Sequence, residues 1–379
     1  MMLTSPIIVY FFAWGLVLTL YALGLTTNLF PFSWEGMFMI AANLVSMFVA
    51  YLFTTLGRRR KKITQDYFGV VKQYAKFLFI FWLLGSLVEI YHGRGVPLTW
   101  VIFGTGRLYT EFGIPSFHGV MNACYLQLVT SLAYLGLVQK KRIYFFFILV
   151  LLAWPIMMLG RGILLSALVQ ITVVAMFFIK VKPKYFLALL LLGLMFIVGF
   201  GFLGDMRQNA NPFEYLVKDD YKEIFSSLPS GFLWVYVYLT AGLSNLFYNL
   251  PTLEPTYTFN YSFSNMLPTI VREFFDISGR NDLFLFVDHN LNTSTVYAGF
   301  ASDFWILGGF VMVALIQLFA CMAYRIAMWG RPWGIFAYTV FFQILLFSIF
   351  YDMFFLLPTL FQLAMTMLLY AYSQFGYRK

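Results

Sequence analysis

The clearest candidates for acid–base chemistry in this sequence are one histidine and two nearby carboxylates. Asp288 and His289 are adjacent, and a neutral imidazole beside a carboxylate is a candidate general base. Asp303 lies inside the apolar stretch that follows, where an ionisable group is costly and is usually paired or functional. We predict that His289 is the base and that Asp288 or Asp303 orients it. The alternative is that His289 is an ordinary loop histidine.

A single arginine in a tight turn is the sharpest candidate for binding an anion. Arg161 lies between Gly160 and Gly162, and apolar stretches flank this turn on both sides. The glycines let a phosphate approach the backbone, and a guanidinium pairs with phosphate oxygens through two parallel hydrogen bonds. An arginine at the end of an apolar stretch can instead extend its charged head into water, and this alternative stays open.

Three further arginines fall on the same side of the chain as the tight turn. Arg207 follows an apolar stretch and comes two residues after Asp205, so the alternative is that these two pair with each other. Arg272 and Arg280 lie four residues on either side of Asp276, a spacing at which side chains on a helix interact, so an ion-pair ladder is their alternative. Together with the arginine of the tight turn, they predict a diphosphate-binding site.

No pattern in the sequence indicates a metal or a cofactor. There is no His-Glu-x-x-His spacing and no Asp-x-Asp pair of the kind that holds a divalent ion. Both cysteines, Cys124 and Cys321, fall inside apolar runs, which argues against a disulfide framework or a cysteine zinc site. We therefore expect chemistry that uses neither a metal nor a cofactor.

The composition predicts that helices in a membrane position these residues. Of the 379 residues, 61% are hydrophobic and 11% are charged, whereas a soluble domain has about 25% charged residues. A helix that spans a membrane needs about 20 predominantly apolar residues. Spanning helices are predicted at 5–28, 35–57, 70–91, 116–138, 143–159, 162–179, 185–204, 296–324, 333–351 and 354–374.

The distribution of charge predicts the orientation of these helices. Basic clusters such as 58–62 and 140–142 alternate with the apolar stretches, and the positive-inside rule places such clusters in the cytoplasm. One topology satisfies every cluster, with about ten transmembrane helices, both termini cytoplasmic and nearly all acidic residues outside. The net charge of +9 is therefore a sign of topology and not of nucleic-acid binding. The predicted fold class is an all-α integral membrane protein.

This topology divides the chain into three parts. Residues 1–204 contain transmembrane helices 1–7, residues 205–295 form one large periplasmic loop with short helices, and residues 296–379 contain helices 8–10. Within the loop, 231–250 is apolar enough to span, but an eleventh span would invert the C-terminal basic residues, so we predict a re-entrant or interfacial helix. A short amphipathic helix is predicted at Thr269–Ser278.

Several short motifs resemble a known family of membrane glycosyltransferases. A Thr-rich stretch at 292–295 leads into Ser302–Gly309, which contains Asp-Phe and then Gly-Gly, and Gly-Arg-Gly lies at 160–162. With Tyr238–Asn245 and the large loop, this pattern resembles the Wzy-type O-antigen polymerases (oligosaccharide repeat-unit polymerases). Some members carry an arginine followed eleven residues later by glycine. None of the four candidate arginines has a glycine at that distance, so the role of that motif does not transfer.

The resemblance implies a bacterial inner-membrane enzyme whose active site faces the periplasm. Such an enzyme transfers a growing glycan from undecaprenyl diphosphate to the non-reducing sugar of one undecaprenyl-diphosphate-linked repeat unit. Undecaprenyl diphosphate is released, and membrane lipid and a chain-length regulator (a Wzz-type co-polymerase) are the implied partners. Cations would stabilise the leaving diphosphate, and a base would deprotonate the acceptor hydroxyl.

Two other functions fit parts of the pattern. An O-antigen ligase shares the long external loop and the arginines, and it differs only in the acceptor. A lipid-linked oligosaccharide flippase or transporter would show paired repeats and polar residues near the middle of several spans. Because the charged residues crowd the outer face of this chain, the sequence favours an enzyme.

Overall fold

A computed structural model describes residues 4–55, 67–179, 186–208, 210–277, 283–288, 290–291 and 293–376 of the chain. The regular elements of this part are helices, with one isolated β-bridge between Thr26 and Val217. The first nine α-helices are α1 (Pro6–Leu23), α2 (Trp34–Thr55), α3 (Phe68–Gly93), α4 (Pro97–Ile102), α5 (Phe117–Gln139), α6 (Arg142–Leu151), α7 (Ala153–Met157), α8 (Arg161–Phe178) and α9 (Phe186–Gln208). They are followed by α10 (Lys222–Ser227), α11 (Gly231–Asn249), α12 (Asn260–Phe263), α13 (Thr269–Phe274), α14 (Ala298–Ala327), α15 (Pro332–Phe347) and α16 (Leu357–Gly376).

The ends of α1 show how the sequence delimits an apolar helix. Pro6 occupies the first turn, where a backbone N–H would have no partner within the helix. Gly24 has a φ of 62° and donates its N–H to the carbonyl of Tyr21 at 3.1 Å, which closes the helix with a left-handed residue. Pro332 begins α15 in the same way.

Six helical segments of the described chain are long and apolar enough to cross a membrane. They are Pro6–Leu23, Trp34–Thr55, Phe68–Ile102, Phe117–Gln139, Arg161–Phe178 and Ala298–Ala327. Shorter apolar helices occur at Arg142–Met157, Gly193–Phe202 and Pro332–Phe347. Each of the ten apolar stretches of the sequence contains a helix, which confirms an α-helical membrane protein. The count of ten spans and the cytoplasmic location of both termini stay predictions.

α5 is the central helix of the bundle. In the most apolar 18-residue stretch of α5, 78% is buried inside the protein, whereas the corresponding share is 28–44% in the other five candidate spans. It packs against α3, α6, α8 and α16, while α14 packs against α2 and α15. The buried part of α5 runs from Met121 to Gly136, whereas the first residues of α5 and α8 are mostly half-buried.

A network of uncharged polar side chains crosses this bundle. Gln170 of α8 donates to the Oε1 atom of Gln343 in α15 at 2.8 Å. Its own Oε1 atom accepts from Gln362 of α16 at 2.7 Å and from the hydroxyl of Thr130 in α5 at 2.8 Å. All four side chains are buried. Polar groups thus occupy the interior of the bundle as well as its outer face, a feature that the count of charged residues in the sequence does not show.

The apolar segment 231–250 of the large loop forms α11, which packs tightly against α9. Gly201 and Gly231 meet at the crossing of the two helices, where a Cβ atom added to Gly231 would lie 2.0 Å from the carbonyl oxygen of Ile197. Small residues are needed at such a contact because the two backbones touch. α11 is not among the six candidate spans, and its re-entrant or interfacial placement stays a prediction.

The predicted amphipathic helix at Thr269–Ser278 is shorter in the structure, where α13 ends at Phe274. Asp276 adopts a left-handed φ of 51°, and the N–H of Ile277 returns to the carbonyl of Arg272 at 2.9 Å. Because the helix ends before Asp276, the expected four-residue spacing is lost. No ion pair joins Arg272 to Asp276, so the ladder alternative is wrong for this pair of described residues.

α14 is interrupted directly after Asp303. Phe304 and Trp305 have φ values of −139° and 52° and leave helical geometry. The carbonyls of Ser302 and Asp303 therefore accept hydrogen bonds from outside the helix, from the N–H groups of Thr256 at 3.0 Å and Tyr257 at 2.8 Å. The break attaches the large loop to the start of α14.

Candidate functional site

Arg161 is the first residue of α8, after a turn in which Leu159 has a left-handed φ of 53°. Its guanidinium lies over the ring of Phe200 at 4.6 Å and the ring of Trp234 at 5.7 Å. The Nη1 atom is buried and has no hydrogen-bond partner among the described residues. The side chain is thus held under aromatic rings of α9 and α11, and this geometry argues against an arginine that simply extends into water.

A cavity of about 430 Å³ opens beside Arg161. Its walls come from the start of α8, from α9 and α11, and from the segment that follows α15, and they include Phe200, Tyr238, Phe350 and Tyr351. Among the described lining residues, Arg161 is the only one with a charged side chain. A buried donor without a partner is costly. A ligand that joins an anion to an apolar chain would pair with the guanidinium and would also contact the apolar lining.

A second cavity of about 210 Å³ adjoins the first, and Gly162 and Tyr351 line both. Its described lining includes no charged side chain but several amides and hydroxyls. The polar lining residues are Asn122, Ser166, Gln343, Tyr351, Thr359 and Gln362. The two cavities therefore differ in chemistry: the first offers one cation among apolar groups, and the second offers neutral donors and acceptors.

Asp205 fixes one wall of the first cavity. Its Oδ1 atom accepts from the indole Nε1 of Trp234 at 2.7 Å, and its Oδ2 atom accepts from the hydroxyl of Ser230. Asp205 thereby holds the ring that lies over the Arg161 guanidinium. Both carboxylate oxygens accept hydrogen bonds from residues at the start of α11, and the alternative that Asp205 pairs with Arg207 stays a prediction. The side chain of Arg207, at the end of α9, lies outside the described part of the structure.

Asp288 lies in a loop that α11 holds in place. The side chain of Asn245 donates to the carbonyls of Leu291 at 3.0 Å and Thr293 at 2.6 Å, and it accepts from the N–H of Val287 at 2.8 Å. Thr293 lines the first cavity, so Asn245 fixes the segment around Asp288 at the cavity rim. Asn245 belongs to the Tyr238–Asn245 motif of the sequence, and this contact gives that motif a structural role.

The Asp288 carboxylate is itself engaged. It accepts from the hydroxyl of Tyr215 and from the N–H of Asn290 at 2.8 Å. Burial, together with the hydrogen bond to Asp288, raises the pKa of Tyr215 above its usual range. His289, the predicted base, lies outside the described residues. The pairing of Asp288 with His289 therefore stays a prediction.

Asp303 is buried and serves the fold. It does not line either cavity. Its carboxylate accepts five hydrogen bonds, from the hydroxyls of Thr256 and Thr258 at 3.3 Å, the N–H of Tyr261 at 3.2 Å, and the N–H and hydroxyl of Ser262 at 2.7 and 2.5 Å. These donors satisfy the charge, so the contacts of Asp303 indicate an anchor for the loop. Its predicted orientation of His289 stays untested.

Arg272 and Arg280 are not brought to the cavity by any described contact. Arg272 donates weakly to the hydroxyl of Thr269 at 3.4 Å, and its Nε atom is buried without a partner. Thr269 in turn hydrogen-bonds Ser116 at the start of α5, with its N–H donating at 2.7 Å. Arg280 lies outside the described residues. Of the four predicted arginines, Arg161 alone is placed in a cavity by the described geometry.

Two carboxylates near the C-terminal ends of α3 and α15 have surroundings that the sequence does not reveal. Glu89 of α3 is 0% exposed, and its Oε1 atom lies 3.0 Å from Nδ1 of His118 in α5, while its Oε2 atom has no partner in the described chain. Asp352 follows Tyr351 in the loop after α15, and burial raises its pKa to about 7. The Glu89 and His118 positions are separated by 29 residues, so no local pattern indicates their contact.

Comparison of the chain with known family models, curated proteins and solved structures finds no match. The functional assignment therefore depends on residue chemistry, on geometry and on the motif resemblance of the sequence.

Proposed function

We propose that this chain is a membrane-embedded glycosyltransferase that polymerises undecaprenyl-diphosphate-linked oligosaccharide repeat units. The observation that carries the proposal is the partly buried Arg161 guanidinium, whose Nη1 atom is unpaired beside an otherwise apolar cavity. The enzyme would lie in the bacterial inner membrane with this cavity on the periplasmic side, as the charge distribution predicts. O-antigen or a related surface polysaccharide would be the product.

The cavity fits a prenyl diphosphate because it joins the two kinds of surface that such a lipid needs. Aromatic and aliphatic side chains from α9, α11 and α15 would contact the prenyl chain. The guanidinium would form charge-assisted hydrogen bonds with diphosphate oxygens. Because the cation already lies in an environment with little water, its attraction for developing negative charge is stronger than it would be in solvent.

The reaction exchanges one bond for another at the anomeric carbon of the donor glycan. The bond from that carbon to the diphosphate oxygen breaks, and a bond to the acceptor hydroxyl oxygen forms. Arg161 would stabilise the charge that gathers on the leaving diphosphate, and the hydroxyl proton would pass to a base. His289, oriented by Asp288, is the predicted base, and in support Asn245 holds the described residues on either side of it, Val287 and Leu291, in place.

The decisive experiment is deletion of the gene in its host, followed by electrophoresis of surface polysaccharide. Loss of the ladder with retention of core carrying one repeat unit is expected for a polymerase. Complementation with Arg161→Gln is expected to leave the ladder absent at normal protein levels, whereas Arg94→Gln should restore it. Arg94 is a matched control because it is an exposed arginine of the outer loop that follows α3. Restoration of a full ladder by Arg161→Gln would refute the proposal.

One observation favours a second function, transport of lipid-linked oligosaccharide. The Gln170, Gln343 and Gln362 network places polar groups inside the bundle, which is a feature of transporters. The same gel separates the two functions, because a flippase is needed before any repeat unit reaches the outer face. Complete loss of the single-repeat band would favour the flippase, or an O-antigen ligase, over the polymerase.

A further inference from the structure

We infer that the second cavity binds the sugar that is bonded directly to the diphosphate, through hydrogen bonds from uncharged side chains. This inference rests on the proposed function, since it assigns the second cavity to the same substrate whose diphosphate would bind Arg161. It is carried by three features: the chemistry of the lining, the presence of free polar groups in it, and its position relative to Arg161.

The lining suits a neutral ligand that carries many hydroxyl groups. The amides and hydroxyls that face the second cavity both donate and accept hydrogen bonds, and a sugar ring presents the same mixture. No charged side chain is found among the described lining residues, so nothing there would attract an ion. A purely apolar ligand is disfavoured as well, because it would leave polar groups buried without partners.

Two of these polar groups are free to bind a ligand. Thr359 of α16 is only 8% exposed, yet its hydroxyl has no hydrogen-bond partner among the described residues, and it faces the cavity. Asn122 of α5 also lines the cavity, and its carboxamide makes no hydrogen bond within the described chain. Because these two side chains line the cavity and make no hydrogen bond within the described chain, they can donate to and accept from a ligand there.

Other lining residues form a rigid wall behind these groups. Gln343 donates to Ser166 at 2.8 Å and accepts from Gln170 at 2.8 Å, and Gln362 donates to Gln170 at 2.7 Å. These hydrogen bonds fix the amides of α8, α15 and α16 relative to one another. Thr359 and Asn122 therefore face a preformed site, which lowers the entropic cost of ordering on binding.

The position of the cavity identifies which sugar it would hold. Arg161 lines the first cavity, Ile163 lines the second, and Gly162 between them lines both. A ligand whose phosphate contacts the guanidinium would place the next chemical group along the molecule at this boundary. The volume of about 210 Å³ is large enough for one sugar ring.

The test compares two lipids that differ only in the sugars. Protein in lipid nanodiscs is titrated with undecaprenyl diphosphate, or with the lipid-linked repeat unit extracted from the gene-deleted host, and binding is measured by microscale thermophoresis. Thr359→Val and Asn122→Leu are each expected to weaken binding of the repeat unit by about 3- to 10-fold. Both should bind undecaprenyl diphosphate as the wild type does, and Thr359→Ser, which keeps the hydroxyl, should bind both lipids normally.

Two further variants separate this inference from the proposed function. Thr339→Val is the matched control, because it removes another buried hydroxyl, one that donates to Phe336 at 2.7 Å and lines neither cavity. Arg161→Gln should weaken the binding of both lipids. Unchanged or equally reduced binding of the two lipids by Thr359→Val and Asn122→Leu would overturn the sugar site while leaving the Arg161 result intact. Failure of the wild type to bind either lipid would overturn the proposed function, and the sugar site with it.

Discussion

Arg161 and Asp303 are both charged residues that lie at or inside an apolar stretch of the sequence, but the two side chains have opposite surroundings in the structure. Asp303 accepts five hydrogen bonds from one loop, whereas the Arg161 guanidinium meets aromatic rings and leaves Nη1 without a partner. A saturated buried charge contributes to stability, and an unsaturated one reduces it. The comparison separates a residue that maintains the fold from a residue that is available to a ligand.

The largest effect is expected when the unsaturated charge is removed. If the proposed function holds, Arg161→Leu should lower polymerisation by about 100-fold or more, because it removes the cation that would stabilise the leaving diphosphate. It should not lower the unfolding temperature, because the substitution also removes a buried donor that has no partner. Scanning fluorimetry and a polymer assay on the same purified sample measure both quantities. A large loss of stability would show that the guanidinium has a structural partner after all.

Removal of the saturated charge should give the reverse pattern. Asp303→Asn keeps the shape of the side chain but weakens the charge-assisted bonds from the loop, and we expect a loss of about 3 kcal/mol of stability. The yield of folded protein and its unfolding temperature should both fall. Glu254→Gln is a control on the same external loop, since that carboxylate makes no hydrogen bond within the described chain. A stable but inactive Asp303→Asn variant would instead support the predicted role beside His289.

A smaller effect is expected at the contact that holds the loop around Asp288. Asn245→Leu removes three hydrogen bonds to that loop and should cost about 2 kcal/mol. Because the loss is local, cleavage of the loop by chymotrypsin, after residues such as Phe286 and Leu291, should accelerate more than global unfolding does. Tyr248→Phe, on the same helix and 38% exposed, should leave the cleavage rate unchanged. Equal rates of loop cleavage in Asn245→Leu and in the wild type would show that other contacts hold the loop.

The last prediction concerns Asp352, whose pKa of about 7 lies above the ordinary value of 3.8 because of burial. The folded protein therefore holds this proton more tightly than the unfolded chain does. The contribution of Asp352 to the stability of the folded protein is therefore greatest below about pH 4, and it is lost as the pH rises towards 7. Asp352→Asn should abolish this part of the pH dependence and be the more stable variant at pH 8. An unfolding temperature with the same pH profile in both proteins would contradict the raised pKa.

Local features of the sequence predicted the helices, and they also marked Arg161 as the candidate that the structure places beside a cavity. Apolar runs predicted helices because backbone groups in lipid must be satisfied within one segment, and the short Gly160–Gly162 turn identified Arg161. The contacts between helices could not be predicted in this way. Gln170 meets partners 173 and 192 residues away, and Asp205 meets Trp234 29 residues away. Uncharged glutamines within apolar runs give no local signal of such contacts.

The length of α13 was mispredicted for a different reason. An apolar face and a four-residue charge spacing extend through Asp276, but periodicity reports only which face a helix would have and not where the backbone turns. The left-handed conformation of Asp276 is a backbone feature that the charge pattern conceals.

The contact between Gly201 and Gly231 has a consequence for the range of ligands that the first cavity could accept. Because the backbones of α9 and α11 touch there, neither helix can shift towards the other, and any larger residue would force them apart. The wall of the first cavity that carries Phe200 and Tyr238 therefore has fixed dimensions. Diversification towards wider or narrower substrates has to occur on the opposite wall, around Phe350 and Tyr351, where a loop can change its length without separating two helices.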